Sequence, residues 1–440
     1  MKITLIEPAM IKTATFSEKA QFLLPPLTLS TLAGLTPAHI EVEVIDDRIE
    51  TIDYDAPRDL VGISVKTYTA RRAYQIAHAF RQRGVRVVLG GHHPTLLPDE
   101  AQHHADALVL GEAEGLWPQV LADSERGALQ PRYAQPNTLP FCKVKPNHTV
   151  LAGKGYLPVA MIETTRGCPF ACSFCSVTTF FGRNFRHRPP AEVIAEIERQ
   201  PAHTYFFVDD NIVGNPRAAK ELFRALIPLR IRWISQASLT MTRDAELMRL
   251  MRESGCAGVL VGIESIQQDN LKQINKSWNM VGIGYDEAFR IARDHGIAMI
   301  GSFILGMDGD TPDSLDATLA FAIQHKLFAA LFNLLTPYPG TALYDAFVAE
   351  GRLRQPHWWL DPAFAYGRMV FEPARMSAAA VEAKRMSMYR QFYGPRSIAH
   401  RLLDSRANAR DAWHAFTLLA MNAPAFGQEQ RRFGLALGQT

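Results

Sequence analysis

Three cysteines stand close together in the middle of the sequence, at Cys168, Cys172 and Cys175. Three residues separate the first two, and two residues separate the last two. Thiolates are the usual ligands of iron–sulfur clusters, and three of them on one loop can bind three irons of a [4Fe–4S] cubane. The fourth iron then has no protein ligand, and an open metal position can bind a small molecule. The spacing therefore predicts a catalytic cluster with these cysteines as its ligands.

A structural zinc site and an electron-transfer cluster are the alternative metal sites. Zinc needs a fourth ligand, for which Cys142 and His187 are candidates, but zinc loops usually pair their cysteines two and two. A ferredoxin uses four cysteines for each cluster, and the two that remain, Cys142 and Cys256, lie far apart in sequence. The odd total of five cysteines also argues against a disulfide framework and suits a reducing compartment.

Length and composition restrict the class of protein further. A chain of 440 residues is expected to form two or three domains. The formal net charge of +3 comes without a dense basic stripe, so no nucleic-acid partner is expected. The sequence has no run of about 20 apolar residues, so no membrane span is expected. No secretory signal is recognised at the start. The expected location is the cytoplasm.

The first part of the chain, residues 1–125, alternates strand-like apolar runs with helical patterns. This order predicts an α/β domain with a doubly wound, flavodoxin-like or Rossmann-like parallel sheet. Ligands of such sheets bind at the carboxyl ends of the strands. Those ends carry residues that offer a polar side chain or let a ligand approach the backbone, namely Thr67, Gly90, Gly91, His92 and Gly111. The alternative role of the glycines is only to make tight turns.

The rest of the chain divides into three predicted parts. Residues 126–158 are rich in proline and polar residues and are predicted to be a linker. Residues 159–345 contain six strand-and-helix units, which predict a partial TIM-type (β/α)6 barrel with its chemistry at the carboxyl ends of the strands. Gln236 and Ser238 end the third strand and place a polar pair at this mouth. Residues 346–440 are predicted to be a helical C-terminal region.

The pattern C-x3-C-x2-C, with the aromatic residue Phe174 before the last cysteine, resembles the signature of the radical SAM superfamily. The resemblance implies that the open iron binds S-adenosylmethionine and that one electron from the cluster breaks a carbon–sulfur bond. It also implies that Phe174 lies against the adenine and that Glu264 contacts the ribose. Asp209 or Asp210 is then the expected partner of the methionyl amine. The alternative is that Asp210 or Asn211 caps a following helix.

Further segments resemble one subclass of that superfamily. Val61–Ser64, Gly90–Thr95 and Gly111–Glu114 resemble the cobalamin-binding-type domain that precedes many radical SAM barrels, and Trp358–Asp361 resembles the tail of an incompletely characterised branch. The resemblance implies cobalamin as a further cofactor. The motif D-x-H-x-x-G, whose histidine binds cobalt in other cobalamin proteins, is absent. Members of this subclass often lack that motif and can hold cobalamin without the histidine ligand. The alternative is a vestigial domain that only shapes the active site.

The expected function is that of a radical SAM transferase acting on a small-molecule substrate. The favoured reaction is cobalamin-assisted methyl transfer in specialised metabolism. One alternative transfers a 3-amino-3-carboxypropyl group to an acceptor such as trivalent arsenic, for which Cys142 and Cys256 are candidate soft ligands. Others are a radical cyclisation or rearrangement and a non-enzymatic metal-binding module. The resemblance also implies a reducing partner such as flavodoxin or ferredoxin.

Overall fold

The computed structural model describes residues 1–13, 16, 23–135, 144–280 and 282–439. Cys142, a candidate ligand of zinc or of a soft acceptor such as trivalent arsenic, lies outside the described residues. Six strands of the N-terminal part form an entirely parallel sheet, and a short strand stands apart from it. The strands of this part are β1 (Lys2–Glu7), β2 (Ile11–Lys12), β3 (Glu41–Asp46), β4 (Leu60–Ser64), β5 (Arg86–Gly90), β6 (Ala107–Leu110) and β7 (Arg132–Ala134). The order in the sheet is β3–β1–β4–β5–β6–β7.

Helices cover this sheet, which confirms the predicted doubly wound fold. They are α1 (Leu27–Leu35), α2 (Ala70–Arg81), α3 (His92–Leu96), α4 (Pro98–Gln102) and α5 (Trp117–Glu125). In α2 the apolar residues recur at helical spacing, and Ala73, Ile76 and Phe80 are all buried. Strand β4 is buried on both faces, as expected for the centre of a parallel sheet.

The middle of the chain forms a second parallel sheet of six strands, in the manner of a partial barrel. Its strands and one antiparallel hairpin are β8 (Ala160–Ile162), β9 (Thr165–Arg166), β10 (Arg186–His187), β11 (Thr204–Phe207), β12 (Arg232–Ala237), β13 (Cys256–Glu264), β14 (Ala298–Leu305) and β15 (Ala329–Leu334). The sheet order is β15–β14–β13–β12–β11–β8, so each strand follows its neighbour in sequence. The helices are α6 (Ser176–Phe181), α7 (Pro190–Arg199), α8 (Pro216–Leu226), α9 (Ala245–Glu253), α10 (Gln268–Gln273), α11 (Tyr285–Asp294), α12 (Pro312–Gln324) and α13 (Ala342–Ala349).

The barrel strands alternate between the helix layer and the lumen. On β12, Trp233, Ser235 and Ala237 are buried, whereas Ile234 and Gln236 keep partial exposure. This period of two is the one expected when one face of a strand packs under helices and the other lines a cavity. Gln236 therefore lies on the lumen side of its strand.

The C-terminal region contributes helices α14 (Ala378–Phe392), α15 (Pro395–Leu402), α16 (Ala412–Asn422) and α17 (Ala425–Arg432) and strand β16 (Gly438–Gln439). Helix α14 packs on β15, where the Tyr393 hydroxyl donates to the carbonyl of Ala330 at 2.8 Å. Helix α16 lies at the amino ends of the strands, because Asn422 donates to the carbonyl of Phe328 just before β15. Within the described part of the chain, no helix is long and apolar enough to cross a bilayer.

Two observed strands differ from the sequence-based layout. Strand β7 lies inside the predicted linker and pairs with β6, so the N-terminal sheet extends to residue 134. Strand β16 lies in the predicted helical region and pairs in parallel with β2. Both are only two or three residues long, and a signal of that length is lost among turn residues.

Glu100 of α4 joins the N-terminal domain to the C-terminal region. Its carboxylate lies 2.9 Å from Nε2 of His93 and accepts a 2.9 Å hydrogen bond from the Tyr74 hydroxyl. It also accepts from Nε1 of Trp359 at 3.1 Å and lies 3.3 Å from Nδ1 of His357. Although burial opposes ionisation, the hydrogen bond and charge of His93 lower the pKa of Glu100 to about 2.

Replacing Glu100 with Gln should reduce the acid sensitivity of the protein. A carboxylate whose pKa is lowered by folding stabilises the native state above its unfolded pKa and loses that effect as the pH falls. The shift from 4.5 to about 2 corresponds to about 3 kcal/mol in total, of which about 1 kcal/mol is lost between pH 6 and pH 4. Urea unfolding of wild type and E100Q at both pH values measures this difference. E253Q, at an exposed ion pair, is the control, and equal pH dependence in E100Q and wild type would contradict the assignment.

Candidate functional site

The carboxyl ends of the strands in the two sheets face each other. His92, directly after β5, stacks its ring on Phe180 of α6 with 4.2 Å between ring centroids. Tyr68, after β4, places its hydroxyl 3.3 Å from Oγ1 of Thr336, which follows β15. Ligands of parallel sheets bind at these ends. Molecules bound by the two domains would therefore be neighbours.

A buried ion-pair cluster holds the two domains together beside the cysteines. Arg166 on β9 contacts Glu163 at 2.8 Å, Glu112 at 3.2 Å and, more closely still, Glu114. Arg186 on β10 donates to Glu112 at 3.0 Å. Burial opposes the charge of Arg166, but Glu163 and Glu114 raise its pKa above the ordinary range. Because Glu112 and Glu114 follow β6, this cluster fixes the hairpin β9–β10 to the N-terminal sheet.

The cysteine loop runs from β9 to helix α6 and is held by hydrogen bonds to the backbone. The N–H of Cys175 donates to the carbonyl of Cys172 at 3.1 Å, and the N–H of Ser173 donates to Ile274 at 3.1 Å. Asn275 donates from its side chain to the carbonyl of Ala171 at 2.7 Å. The bonds to Ile274 and from Asn275 involve the loop after α10, so the barrel itself shapes the cysteine loop.

The three thiols lie near one another and are partly buried. Burial raises the pKa of each, that of Cys172 to about 12, and the charges of Cys168 and Cys175 act on Cys172 in the same direction. No group of three or more His, Cys, Asp or Glu able to hold a metal ion occurs among the described residues. In a cubane each thiolate binds a different iron, so its ligands need not converge on one ion.

The surroundings of the loop fit a polar ligand. Buried side-chain polar atoms normally have hydrogen-bond partners, yet four such atoms here have none: Thr165 Oγ1, Ser173 Oγ, Trp278 Nε1 and Asn279 Oδ1. Trp278 stacks on Phe170 of the cysteine loop with 3.5 Å between ring centroids. A cofactor with hydrogen-bonding groups would satisfy atoms of this kind.

The two adjacent aspartates after β11 have different environments. Asp209 is fully buried, and its carboxylate accepts from the backbone N–H groups of Thr164 at 2.7 Å and Thr165 at 2.8 Å. Asp210 accepts from the N–H of Gly167 at 3.0 Å and is less buried. Burial raises the pKa of Asp209 to about 7 and that of Asp210 to about 6. Asp209 thus holds the turn before the cysteine loop.

The helix-cap alternative for this loop is wrong. Helix α8 begins at Pro216, and its cap is Asn215, whose side chain accepts from the N–H groups of Arg217 and Ala218. Asn211 instead directs Nδ2 to Sγ of Cys168 at 3.8 Å and to Oγ of Ser238 at 3.4 Å. An N–H directed at a cluster sulfur is one of the means by which proteins tune such clusters.

A buried lysine beside the cysteines was not predicted from the sequence. Nζ of Lys276 lies 2.7 Å from Oε1 of Glu264, and both residues are less than a tenth exposed. Burial opposes the charge of Lys276, but Glu264 and Cys172 raise its pKa. Glu264 has a φ of +62°, a conformation that few residues other than glycine adopt. A single lysine in a loop has no sequence pattern that would reveal this contact.

Phe174 and Glu264 line one end of an internal cavity of about 320 Å³. Trp358 and Trp359, in the segment that resembles the tail of a family branch, are at most 1% exposed and belong to the core. Tyr366 lines the cavity.

The predicted residues of the N-terminal domain lie along the facing edge. Thr67 is buried, with Oγ1 3.3 Å from Nδ1 of His93. Gly91 has a φ of +102°, and an added Cβ would lie 2.9 Å from the carbonyl oxygen of Val65. Gly90 precedes it at the end of β5, and Gly111, with a φ of +82°, follows β6. Burial lowers the pKa of His92 to about 4, so its ring is neutral near pH 7.

Two other residues that the sequence offers as ligands lie in different surroundings. Cys256 begins β13 and is fully buried, with Sγ 3.8 Å from the carbonyl oxygen of Gly258. A soft acceptor therefore has no access to Cys256, and that part of the aminocarboxypropyl interpretation is wrong. His187 is exposed on β10.

Comparison with known families assigns the class of this protein. Residues 162–322 match the radical SAM superfamily, and residues 16–121 match the B12 binding domain. The chain belongs to the branch of the radical SAM superfamily that carries a B12 binding domain, and it is a radical SAM enzyme. The cofactors of this chain are therefore a [4Fe–4S] cluster, S-adenosylmethionine and cobalamin.

Individual proteins with similar sequence or fold agree with this assignment. Bacteriochlorophyllide d C-12(1)-methyltransferase of Chlorobaculum tepidum is 31% identical over 413 residues, which are 90% of this chain and 88% of that protein. Bacteriochlorophyllide d C-8(2)-methyltransferase of the same organism is 32% identical over 356 residues, 76% of this chain and 78% of that protein. The solved structure of TsrM from Kitasatospora setae, with cobalamin and a [4Fe–4S] cluster bound, has the same fold, with a TM-score of 0.62 and 19% identity over 89% of this chain and 81% of that one.

Replacing Lys276 with Met should weaken S-adenosylmethionine binding at least tenfold. The lysine supplies a buried cation close to the thiols, and the methionyl carboxylate needs a cationic partner. The single variant also leaves Glu264 as an uncompensated buried charge, which costs about 3–5 kcal/mol. The double variant E264Q/K276M removes both charges, so we expect it to regain thermal stability but not affinity in anaerobic equilibrium dialysis.

The exposed neighbour Lys272 provides the matched control as K272M. Wild-type affinity in E264Q/K276M would show that the buried pair only supports the fold.

Proposed function

We propose that this chain is a cobalamin-assisted radical methyltransferase that acts on a small organic substrate. The observation that carries the proposal is that the two sheets face each other with their carboxyl ends. Methyl transfer needs the donor, the radical source and the substrate within reach of one another. The contacts of His92 with Phe180 and of Tyr68 with Thr336 bring the two ligand-binding edges together. Both bacteriochlorophyllide relatives are methyltransferases by name.

The cysteine loop is proposed to hold the cluster through Cys168, Cys172 and Cys175. When bound, the cofactors supply one electron for cleavage of S-adenosylmethionine and a carrier for the methyl group. The Asn211 amide, 3.8 Å from Cys168, donates toward sulfur and favours the more negative state of the cluster.

The proposed S-adenosylmethionine site follows the lumen side of the barrel. Phe174 offers an apolar face for the adenine, and Glu264 offers a carboxylate for the ribose. Asp210 is better placed than Asp209 to meet the methionyl amine, because both oxygens of Asp209 are used within the protein. Gln236 and Ser238 add polar groups on the neighbouring strand end.

The proposed cobalamin site is the facing edge of the N-terminal sheet. Gly90, Gly91 and Gly111 keep the backbone open there, and Thr67 and His92 flank it. The neutral ring of His92 lies against Phe180, so His92 adds no charge to this edge. The substrate and an electron donor of the flavodoxin or ferredoxin type are the expected partners.

Product analysis tests the reaction type. Anaerobically reconstituted protein, supplied with S-adenosylmethionine, methylcobalamin and dithionite, should release 5′-deoxyadenosine, detected by mass spectrometry. Release of methylthioadenosine instead would mean that a different carbon–sulfur bond breaks, and would contradict methyl transfer.

Two cysteine variants distinguish loss of the cluster from general effects of removing a thiol. C172A should lose the cluster absorption and all cleavage of S-adenosylmethionine, because one iron loses its ligand. C256A should retain both, since Cys256 is buried in β13 away from the loop. Cleavage that survives in C172A would contradict the proposed cluster site.

A further inference from the structure

The far end of the internal cavity is built by the C-terminal region. The cavity has about 320 Å³ and extends from Phe174 and Glu264 to Tyr366 and Arg385. Small-molecule sites commonly measure about 300–1,000 Å³. This cavity is at the lower end of that range, and its first end belongs to the proposed S-adenosylmethionine site. The part lined by Tyr366 and Arg385 can therefore take a small ligand.

Two arginines line the cavity here: Arg368 is exposed and pairs with Glu382, whereas Arg385 is only 3% exposed. Its Nε donates to the carbonyl of Phe332 at 2.7 Å, and its Nη2 pairs with Glu429. Its Nη1 contacts the sulfur of Met386 at 4.0 Å, and a thioether is a weak acceptor. An added Cβ on Gly367, which lines the cavity, would lie 3.4 Å from Nη1. Nη1 therefore stands at the cavity wall, and it has no oxygen acceptor among the residues that the structure describes.

The phenols at this end are neutral. Burial raises the pKa of Tyr68, Tyr338 and Tyr366, so all three are protonated at neutral pH. The Tyr366 hydroxyl donates to Glu429 at 3.3 Å, and Glu429 also pairs with Arg385. An anionic oxygen placed here would therefore accept from Nη1 of Arg385.

The walls between the two ends are aromatic. Tyr68 and Tyr338 pack edge to face with ring centroids 5.9 Å apart, and Trp358 supports both from behind. Trp358 in turn adjoins Trp359, whose indole is bound by Glu100. These contacts fix the rings and leave a slot that suits an apolar or aromatic body.

We propose that the substrate is a small carboxylic acid whose carboxylate binds Nη1 of Arg385 and whose apolar body lies against Tyr68 and Tyr338. This inference rests on the proposed function, because it places the substrate between the anion site and the radical source. Because Glu429 already compensates Arg385, a ligand with a single negative charge is favoured over a phosphate, and a planar carboxylate matches the guanidinium.

Calorimetry on the anaerobically reconstituted protein, loaded with S-adenosylmethionine and cobalamin, tests the proposal. The probes are benzoate, phenylacetate and 3-phenylpropanoate, each compared with its amide and its phosphonate analogue. We expect at least one acid to bind at least tenfold more tightly than its amide. R385Q should remove that preference and leave amide binding unchanged.

Two further variants control for folding and for charge in general. R385Q/E429Q removes the buried pair together, so it should fold and should also lack the preference for acids. R354Q changes an arginine that does not line this cavity and should behave as wild type. Equal binding of acid and amide, a preference for the phosphonate, no binding of any acid, or acid preference in R385Q/E429Q would each overturn the proposal. Cleavage of S-adenosylmethionine without substrate reports on the proposed function separately.

Discussion

The position of the cysteine loop depends on one buried ion-pair cluster, in which Arg166 is surrounded by Glu112, Glu114 and Glu163. Such clusters contribute little net stability, because desolvation offsets most of the attraction. They do constrain the positions of their members, however, because displacing one partner leaves a buried charge without compensation. Arg166 stands two residues before Cys168, so the same contacts that join the domains also set where the thiols lie relative to the N-terminal sheet.

The site repeats this use of buried, compensated charge. Lys276 with Glu264 lies by the thiols, and Arg385 with Glu429 lies at the far end of the cavity. Each pair adds no net charge, so the cavity can be kept apart from water without a large electrostatic cost. Exclusion of water matters for radical chemistry, because it prevents side reactions of short-lived species. The aromatic rings of Tyr68 and Tyr338 line the same cavity.

The sequence predicts the architecture well, because alternating apolar runs and the spacing of three cysteines are local patterns. It does not separate Asp209 from Asp210, since only the fold decides which of two adjacent carboxylates is turned toward Thr164 and Thr165. The roles of Lys276 and Arg385 cannot be recognised from the sequence for a related reason. Each acquires its role from partners that the chain brings close only on folding, and neither lies in a periodic or spaced motif. Asn211 is predicted only as a helix cap, a role that Asn215 fills.

The pairing of β16 with β2 joins residues 438–439 to residues 11–12. The N-terminal sheet and the barrel can each fold while the ribosome is still adding residues, but this last ladder cannot form until residue 439 has emerged. Tyr366, at the cavity wall, depends on the same late segment, because its N–H donates to the carbonyl of Leu435 at 2.8 Å. Until that segment has formed, the contact that holds Tyr366 at the cavity wall is missing.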